Sequence, residues 1–392
     1  MKRPLKCLAN ESSSKRPQLD ENENSNVETI LIEEGPSRNI VSTEWGEDFS
    51  ISSLLGEGMF GKVFLVENNT NRRFAMKVIK LSVKNRHSAW DMERKIMEKV
   101  SAELYEHIVR MERSGILKTC PDSCSPYFFL FDPLGPSIFD LMQNGKKDYP
   151  GKYAVFETAD IAKIGKQILS AMQKLDELKI LHLDLKPENV YILSENDYDG
   201  LRADSLVDDV VYILLSKVHV KIGDFGCAVE IDEEQLQKTE VVQTQNYRAP
   251  EVIMGLPYGP KADVWSYACI LAEIYIGDLL FYGSEDGEDT EAAQFEMMQR
   301  VVRQAPSPRM WREAVTMNSK KVRRNDNGDY FFHQSITSRH ISTSSLLLNL
   351  RPYDRLAIRL FELIRNLLIF DPKMRPSFAD IGLDNELFTF TG

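Results

Sequence analysis

The chain has 392 residues, of which 43% are hydrophobic and 27% charged, so it has the composition of an ordinary globular protein with roughly two or three packed units. Its formal net charge of -11 argues against bulk nucleic-acid binding and is compatible with basic partners. No apolar run reaches the roughly 18 residues of a membrane span, because Lys217, His219 and Lys221 interrupt "VVYILLSKVHVKI", and the first residues lack the apolar segment of a secretory signal.

Residues 1 to 44 are rich in Ser, Asn, Glu and Lys and poor in aromatic residues. Such a segment cannot bury enough apolar surface to fold alone, so we expect a disordered polar tail. Its paired basic residues, Lys2-Arg3 and Lys15-Arg16, fit a bipartite nuclear signal, and the alternative is a plain solvated tail.

From residue 45 the apolar positions alternate, which predicts strands. Three consecutive strands are indicated by "FSISSLL", "KVFLVE" and "FAMKVIK", with "LLGEGMFG" as the turn between the first two. A helix follows at "SAWDMERKIMEKV", and then a strand at "YFFLFDPLG" that Pro133 and Gly135 stop. We expect a hinge at this stop, at about residues 132–136.

Cys120 and Cys124 in "CPDSC" form the only close pair among five cysteines. An odd, scattered set favours a reducing compartment over a disulfide framework. Because no second pair of ligands accompanies them, we expect loop thiols and not a zinc site.

The second half of the chain is mainly helical. "TADIAKIGKQILSAMQKLDELKIL" has apolar residues at steps of three and four, as an amphipathic helix does, and "KADVWSYACILAEIYIG" is apolar nearly all round, as a buried helix is. The segment 283–349 is polar and charge-mixed, and we interpret it as an irregular insertion. The predicted fold is α+β and bilobal, with a small β-rich lobe over about 45–132 and a larger, mainly helical lobe over about 137–390.

A glycine-rich segment, "GEGMFGKV", has glycines at 56, 58 and 61, a spacing that dinucleotide-binding turns share. Such a turn must lead into a helix whose N-terminus holds the pyrophosphate. Here Gly61 leads into a strand. We therefore favour a hairpin whose bare backbone folds over a triphosphate, with Val63 closing on the base.

Lys77 in "AMK" would reach the phosphates from the next strand. A lone lysine in a strand is normally a surface residue, but here a helix with a suitable acid follows. We expect Glu93 to pair with Lys77, because the register of "ERKIME" then turns Met97 toward the core. Glu98 is the competing acid.

The segment "HLDLKPENV" supplies the predicted chemistry. Asp184 would accept or orient the proton of an attacking hydroxyl, and Lys186 would neutralise charge on the moving phosphoryl group. Asn189, together with Asp224 of "DFG", offers oxygens of the kind that magnesium binds. Each short peptide is unspecific, but the whole set in this order is specific for phosphoryl transfer.

Two further peptides follow in the expected order, "APE" (Ala249 to Glu251) and "DVWS" (Asp263 to Ser266). Arg375 in "FDPKMRPS" is a plausible buried partner for Glu251, where it would hold the end of the activation segment. We expect these residues to maintain the fold and to do no chemistry.

Together these residues resemble the eukaryotic protein kinase family over nearly all of Trp45 to Phe390. "KPEN" is similar to serine/threonine kinases, and "YRAPEV", with Arg248, resembles the CMGC group. Within that group the best match is the LAMMER (Clk-type) branch, which also has a long hairpin before "DFG" and an uncharged residue at the position of Leu183. The motif that names the branch is degenerate here, as "QFEMMQRVV", in which Glu296 and Gln299 depart.

The resemblance implies a dual-specificity kinase that uses ATP and Mg²⁺, phosphorylates arginine/serine-rich splicing-type proteins and autophosphorylates on tyrosine. It implies a nuclear or otherwise cytoplasmic enzyme, which we expect to be a monomer. Phe131 matches the gatekeeper position, Asp132 and Leu134 would offer a hinge carbonyl and N–H to adenine, and Tyr191 lies at the adenine floor. The implied nucleotide contacts are Leu55, Gly56, Glu57, Gly58, Gly61, Val63, Ala75, Lys77, Phe131, Asp132, Leu134 and Tyr191.

Several positions depart from the family pattern. Leu183 replaces the arginine that receives an activation-segment phosphate, so we expect a site that is folded without phosphorylation, and no switch at Thr239. Gln245 replaces an arginine common in CMGC kinases, and Tyr191 replaces a small aliphatic residue. Thr244 is expected to bind near Asp184.

Two alternatives stay open from the sequence. One is a nucleotide-binding pseudokinase, which the presence of all the catalytic residues disfavours. The other is an active kinase of a neighbouring CMGC branch, and the lack of a tyrosine at the usual place in "EVVQTQNY" disfavours the DYRK type.

Overall fold

The computed structural model describes residues 40–203, 209–232, 236, 238–282, 290–317, 319–332 and 355–389. Most of the predicted tail lies outside these ranges. Ile40–Ser42 nevertheless forms a strand paired with Asp48–Ser50, so the predicted tail boundary at residue 44 was too late.

The N-terminal lobe is a six-stranded antiparallel sheet in the order β1-β2-β3-β4-β6-β5. Its strands are β1 (Ile40–Ser42), β2 (Asp48–Glu57), β3 (Gly61–Asn68), β4 (Arg73–Lys80), β5 (Met111–Ile116) and β6 (Cys124–Phe131). The predicted strands are confirmed, but the turn after β2 is shorter than predicted. β2 continues through Glu57, so only residues 58–60 separate it from β3.

Helix α1 (Arg86–Ser101) packs against this sheet through residues at steps of three and four. Trp90, Ile96, Met97 and Val100 are buried on one face, and Glu93 lies among them. A charged residue on the core face of a helix needs a partner, and this placement directs Glu93 toward the sheet.

The larger lobe is built on helices around α5, whose side chains are buried from Ala262 to Ile276. Its helices are α2 (Ile138–Asp148), α3 (Thr158–Glu177), α4 (Pro250–Ile253), α5 (Pro260–Ile276), α6 (Thr290–Val302), α7 (Pro308–Thr316), α8 (Arg355–Leu367), α9 (Phe378–Ile381) and α10 (Glu386–Thr389). α5 contacts both α3 and α8, as its apolar surface all round requires. Residues 132–137 join β6 to α2 and link the lobes.

Short strands complete the larger lobe and carry its loops. They are β7 (Tyr153–Phe156), β8 (Ile180–Leu181), β9 (Val190–Ile192), β10 (Tyr198–Ala203), β11 (Val210–Leu215), β12 (Val220–Ile222), β13 (Val229–Glu230), β14 (Val322–Arg324) and β15 (Tyr330–Phe332). The predicted hairpin before "DFG" is present as β10 and β11, which form a sheet with β7. β9 pairs with β12, and β8 pairs with β13.

The segment 283–349 was predicted to be irregular, and for its described part this was wrong. It contains α6, α7 and the β14–β15 hairpin. Phe295 and Met298 on α6 are completely buried, so the "QFEMMQRVV" stretch is a core helix. Apolar spacing alone did not reveal it, because Gln294, also completely buried, lies on the same helix.

The structure also bears on the predictions for the close cysteine pair and for membrane spans. Cys120 is exposed, but Cys124 is a buried residue of β6, so the prediction of two loop thiols was wrong for Cys124. Among the residues described, no helix is long and apolar enough to cross a membrane.

Candidate active site

Lys77 lies on β4 between two carboxylates from distant parts of the chain. Its Nζ is 2.6 Å from Oε1 of Glu93 on α1 and 2.8 Å from Oδ1 of Asp224, which follows β12. Glu98, the competing acid, instead binds Arg94 at 2.6 Å on the helix surface. The register of α1 therefore pairs Lys77 with Glu93.

Burial and charge oppose each other in this cluster. Burial disfavours the charged form of Lys77, but the carboxylates of Asp224 and Glu93 outweigh it and raise the pKa of the ammonium. Burial likewise opposes ionisation of Asp224, yet Lys77 lowers the pKa of that carboxyl to about 2. Lys77 and Asp224 are thus both charged at neutral pH.

The loop after β8 has an unusual backbone that α5 holds in place. Leu183 is buried in the core and has a φ of 59°, in the left-handed region that costs a non-glycine residue about 1–2 kcal/mol. The two oxygens of Asp263 accept hydrogen bonds from the N–H groups of His182 and Leu183, at 2.8 and 2.9 Å. Asp263 therefore offsets the strain and fixes where Asp184 emerges.

Asp184 is the centre of a dense group of polar contacts. Thr244 Oγ1 donates to Oδ1 of Asp184 at 2.6 Å, and Lys186 Nζ lies 2.9 Å from Oδ2. Lys186 also donates to Thr244 Oγ1 at 2.9 Å, so the three side chains close a triangle. Burial opposes charge on Lys186, but Asp184 outweighs it and raises the pKa of this ammonium.

Asn189 and Asp224 provide oxygens of the kind that bind magnesium. Asn189 Nδ2 donates to the carbonyl of Asp184 at 2.8 Å, which leaves Oδ1 of Asn189 as the atom for a cation. Among the described residues, no group of three or more His, Cys, Asp or Glu forms a metal site. One carboxylate and one amide oxygen nevertheless fit Mg²⁺, which keeps water and phosphate oxygens in its shell.

The glycine-rich turn leaves its backbone bare. A Cβ added at Gly56 or Gly58 would meet nothing within 4 Å, so this stretch presents open backbone. Gly61 is required for a different reason, since a Cβ there would lie 2.8 Å from the carbonyl oxygen of Val78. Glu57 binds Lys80 at 2.5 Å, so we expect only its backbone to meet a nucleotide.

The other predicted nucleotide contacts lie on β2, β3, β4, β6 and β9 or on the segment that follows β6. Phe131 at the end of β6 pairs with Ala75 of β4, and Lys77 follows two residues later on the same strand. Asp132 is exposed and accepts a hydrogen bond from Arg72 at 3.0 Å. Of the remaining predicted contacts, Val63, Leu134 and Tyr191 are half-buried and Leu55 is exposed.

A family model described as "Protein kinase domain" matches residues 49–385, which is most of the chain. The chain is a protein kinase. A solved kinase-domain structure agrees in fold, with a TM-score of 0.64, 23% identity, and coverage of 87% of this chain and 95% of that one.

Curated relatives place the kinase more narrowly. It is 30% identical to "Serine/threonine-protein kinase AFC1" of Arabidopsis thaliana, over 87% of this chain and 71% of that protein. It is 32% identical to "Probable dual specificity protein kinase madd-3" of Caenorhabditis elegans, over 83% of this chain but only 34% of that protein. "Dual specificity protein kinase CLK4" of Homo sapiens is 25% identical, over 83% of this chain and 63% of that protein. The LAMMER (Clk-type) resemblance is thus confirmed.

The activation segment of the kinase is anchored by a residue that sequence reasoning missed, Gln243. It is buried and has a φ of 67°. Its side-chain amide nitrogen, Nε2, donates to the Ala262 carbonyl at 3.0 Å and to Ser266 Oγ at 2.9 Å. Its Oε1 accepts from the N–H of Ala249 at 3.0 Å. One side chain therefore joins the segment to α5, and no short motif marks it.

Each of the three guanidinium nitrogens of Arg248 has a partner within the kinase. Its Nε and Nη2 donate to the carbonyls of Val242 and Gln243, both at 3.0 Å, and its Nη1 pairs with Glu291 at the start of α6. Nearby, Gln294 Nε2 donates to the carbonyl of Gln245 at 2.5 Å. α6 thus supports the segment, and Glu291 is a second residue that the sequence did not reveal.

Glu251 and Arg375 form the predicted buried ion pair. Arg375 Nη1 and Nη2 lie 2.8 and 2.9 Å from the two oxygens of Glu251, and both side chains are almost completely buried. Arg375 also donates to the carbonyls of Ile369, Lys261 and Phe370. The pair is thus fully hydrogen-bonded, as a buried charge must be.

Proposed function

We propose that this kinase transfers the γ-phosphoryl group of ATP to serine and threonine hydroxyls of basic, arginine/serine-rich proteins, and to its own tyrosines. We further propose that it does so without a phosphate on its activation segment. The observation that carries the proposal is the closed set of contacts around Asp184, in which Thr244 of the activation segment already binds the carboxylate.

In this proposal Asp184 takes the proton of the substrate hydroxyl. An ionised carboxylate has about four lone-pair sites, so Thr244, Lys186 and Asn189 leave room for one further donor. As the hydroxyl oxygen bonds to phosphorus, the bond from phosphorus to the β-phosphate bridging oxygen breaks and ADP leaves. The hydroxyl proton passes to Asp184, and Lys186 offsets charge on the moving group.

Lys77 would hold the phosphates from the opposite lobe. Glu93 fixes Lys77 from α1, so the position of that helix controls where the ammonium lies. When bound, Mg²⁺ would neutralise charge on the phosphates, and Asn189 and Asp224 are the residues that would hold it.

Activity without phosphorylation of the activation segment is supported by Leu183, which stands where other kinases have an arginine that binds the segment's phosphate. Leu183 is buried and offers no cation, while Gln243, Thr244 and Arg248 hold the segment through bonds within the protein. Phosphate ordering works by adding new ion pairs to a loose segment. Here the bonds exist before any modification.

A phosphatase experiment tests this proposal. The kinase is produced in bacteria, treated with a broad phosphatase, cleared of it, and assayed at once with ATP and a basic peptide. We expect the initial rate to stay within about twofold of the untreated enzyme. A drop of tenfold or more that recovers on incubation with ATP would contradict the proposal.

The substrate class is supported by charge and by the relatives. A net charge of -11 favours basic partners, and the related kinases include several of dual specificity. A peptide library with serine among arginines or before proline separates this class from a proline-directed one. We expect the arginine-rich set to have the higher kcat/KM, and the reverse order would assign the kinase to a neighbouring branch.

A nuclear location is proposed from the paired basic residues in the first part of the chain. Residues 1–39 fused to a fluorescent protein should concentrate it in nuclei. Alanine at Lys2, Arg3, Lys15 and Arg16 should abolish that accumulation. A fusion that stays evenly distributed before mutation would identify the segment as an ordinary polar tail.

A further inference from the structure

Tyr191 lies on β9, and Gly223 directly follows β12, the strand that pairs with β9. A Cβ added at Gly223 would lie 3.3 Å from Cε2 of the Tyr191 ring and 3.2 Å from Cγ1 of Val109. Both distances are tighter than ordinary van der Waals contact, so a side chain at 223 must displace a neighbour. The Tyr191 ring and the Val109 side chain share the space that it needs.

Packing, and not backbone strain, is the reason for glycine at this position. Gly223 is not among the glycines with positive φ, so its backbone accepts any residue. It also immediately precedes Asp224, the residue that binds Lys77. A change in packing at residue 223 would therefore act next to Asp224 and Lys77, the residues that we expect to lie near the phosphates.

The backbone of Tyr191 is held on both sides. It pairs with Lys221 of β12 and forms a bridge to Ser137, the residue that caps α2. The N–H of Gly223 donates to the carbonyl of Asn189 at 2.9 Å, which closes the same two strands. A side chain at residue 223 would therefore displace the Tyr191 ring and leave the Tyr191 backbone in place.

The Tyr191 ring is half-buried and near the charged groups of the cleft. Asn189 precedes Tyr191 by two residues, and Asp224 directly follows Gly223. The pair therefore adjoins both residues that would hold Mg²⁺.

We propose that Tyr191 and Gly223 are a matched pair that sets the shape of the nucleotide pocket. The ring takes the room that a side chain at 223 would occupy and offers an aromatic face to the purine. Such a face adds stacking to the contact that an aliphatic residue would give. This inference rests on the proposed use of ATP by this site and deepens it.

A double-mutant cycle tests the pairing. The variants are Gly223→Val, Tyr191→Leu and the two together, and the readouts are the dissociation constant for ADP with Mg²⁺ and the KM values for ATP and for peptide. We expect Gly223→Val to weaken ADP binding about tenfold, and the double variant to recover to within about threefold of the parent. The peptide KM should change much less than the ATP KM.

Val109 provides the matched control, because it is the other neighbour of the added Cβ. Val109→Ala combined with Gly223→Val should recover less ADP affinity than Tyr191→Leu does. Equal or better recovery with Val109→Ala would assign the clash to Val109 and overturn the proposed pair. Additive effects of Tyr191→Leu and Gly223→Val would also overturn it.

A substitution with a smaller side chain controls for the possibility that Gly223→Val fails to fold. Gly223→Ala adds only the Cβ, and we expect it to weaken ADP binding about threefold with an unchanged thermal unfolding midpoint. If the parent protein binds no ADP, the proposed function fails with the pair. If the parent binds ADP and phosphorylates peptide while Gly223→Ala and Gly223→Val bind ADP as the parent does, only the pair fails.

Discussion

Two neighbouring regions of this kinase are held together by different kinds of contact. The cluster of Lys77, Glu93 and Asp224 is built from charges, while the activation segment around Gln243 is joined to α5 mainly by amide and hydroxyl groups. Charges suit a site where they act on a charged substrate. Neutral hydrogen bonds form without any modification, so the comparison separates the groups to which we assign chemistry from those that keep the site assembled.

The largest expected effect is a loss of kcat on substitution of Asp184. Asp184→Asn should lower kcat by about three decades, because the variant loses the proton acceptor while keeping similar size. Phosphate transfer to a basic peptide at saturating ATP measures it. Asp199→Asn, an exposed carboxylate on β10, is the control and should leave kcat unchanged. Full activity of Asp184→Asn would show that another group takes the proton.

Arg375→Leu tests the one buried ion pair at the end of the activation segment. It should lower the free energy of unfolding by about 3–5 kcal/mol, because Glu251 would remain buried without its partner. Urea unfolding followed by tryptophan fluorescence measures it. Arg359→Leu removes two exposed pairs, with Glu362 and Glu386, and should cost less than about 1 kcal/mol for each. Similar losses of unfolding free energy in Arg375→Leu and Arg359→Leu would mean that burial does not make the Glu251–Arg375 pair more important for stability.

Gln243→Ala tests the neutral network directly. It removes three side-chain hydrogen bonds and leaves the N–H of Ala249 without its acceptor, so we expect a loss of about 2–3 kcal/mol in stability and about tenfold in kcat. Thr239→Ala, at an exposed hydroxyl of the same segment, should stay within about twofold. If Thr239→Ala were the more damaging change, segment phosphorylation would be needed after all.

The smallest expected effect is a pH dependence from Asp224. Its pKa is lowered to about 2 in the folded protein, from an ordinary value of 3.8, so its ion pair with Lys77 stabilises the fold above about pH 4. Because the Asp224 side chain is 35% exposed, solvent screens the pair, and the contribution of about 1 kcal/mol is lost as the pH falls toward 2. Unfolding at pH 3 and pH 6 should show it as a difference between the parent and Lys77→Met. An identical pH dependence in both would remove Lys77 as the cause.

The catalytic groups could be predicted because short peptides carry them in a set order. Lys77, Asp184 and Asn189 each belong to such a peptide, and the strand after Gly61 distinguished a phosphate-binding hairpin from a dinucleotide-binding turn. The helix register even selected Glu93 over Glu98. These inferences used local periodicity, which a sequence contains.

Other features depend on contacts between distant residues, and local periodicity does not report them. The helix α6 was interpreted as part of an irregular insertion, because its amphipathic pattern is interrupted by the buried Gln294. The ion pair between the carboxylate of Glu57 and Lys80, two strands away, could not be predicted from the sequence either. Gln243 resembles an ordinary polar loop residue until its partners on α5 are known.

By itself, the sequence determined which chemical groups this kinase has and the order in which they occur, because both are properties of the chain. Only the tertiary structure decided which of them meet. Leu183 keeps a left-handed backbone because Asp263, about 80 residues later, binds it, and a side chain at Gly223 would press on Val109 and on the Tyr191 ring. Such contacts join residues through space, where side-chain volume and hydrogen-bond geometry select the partners.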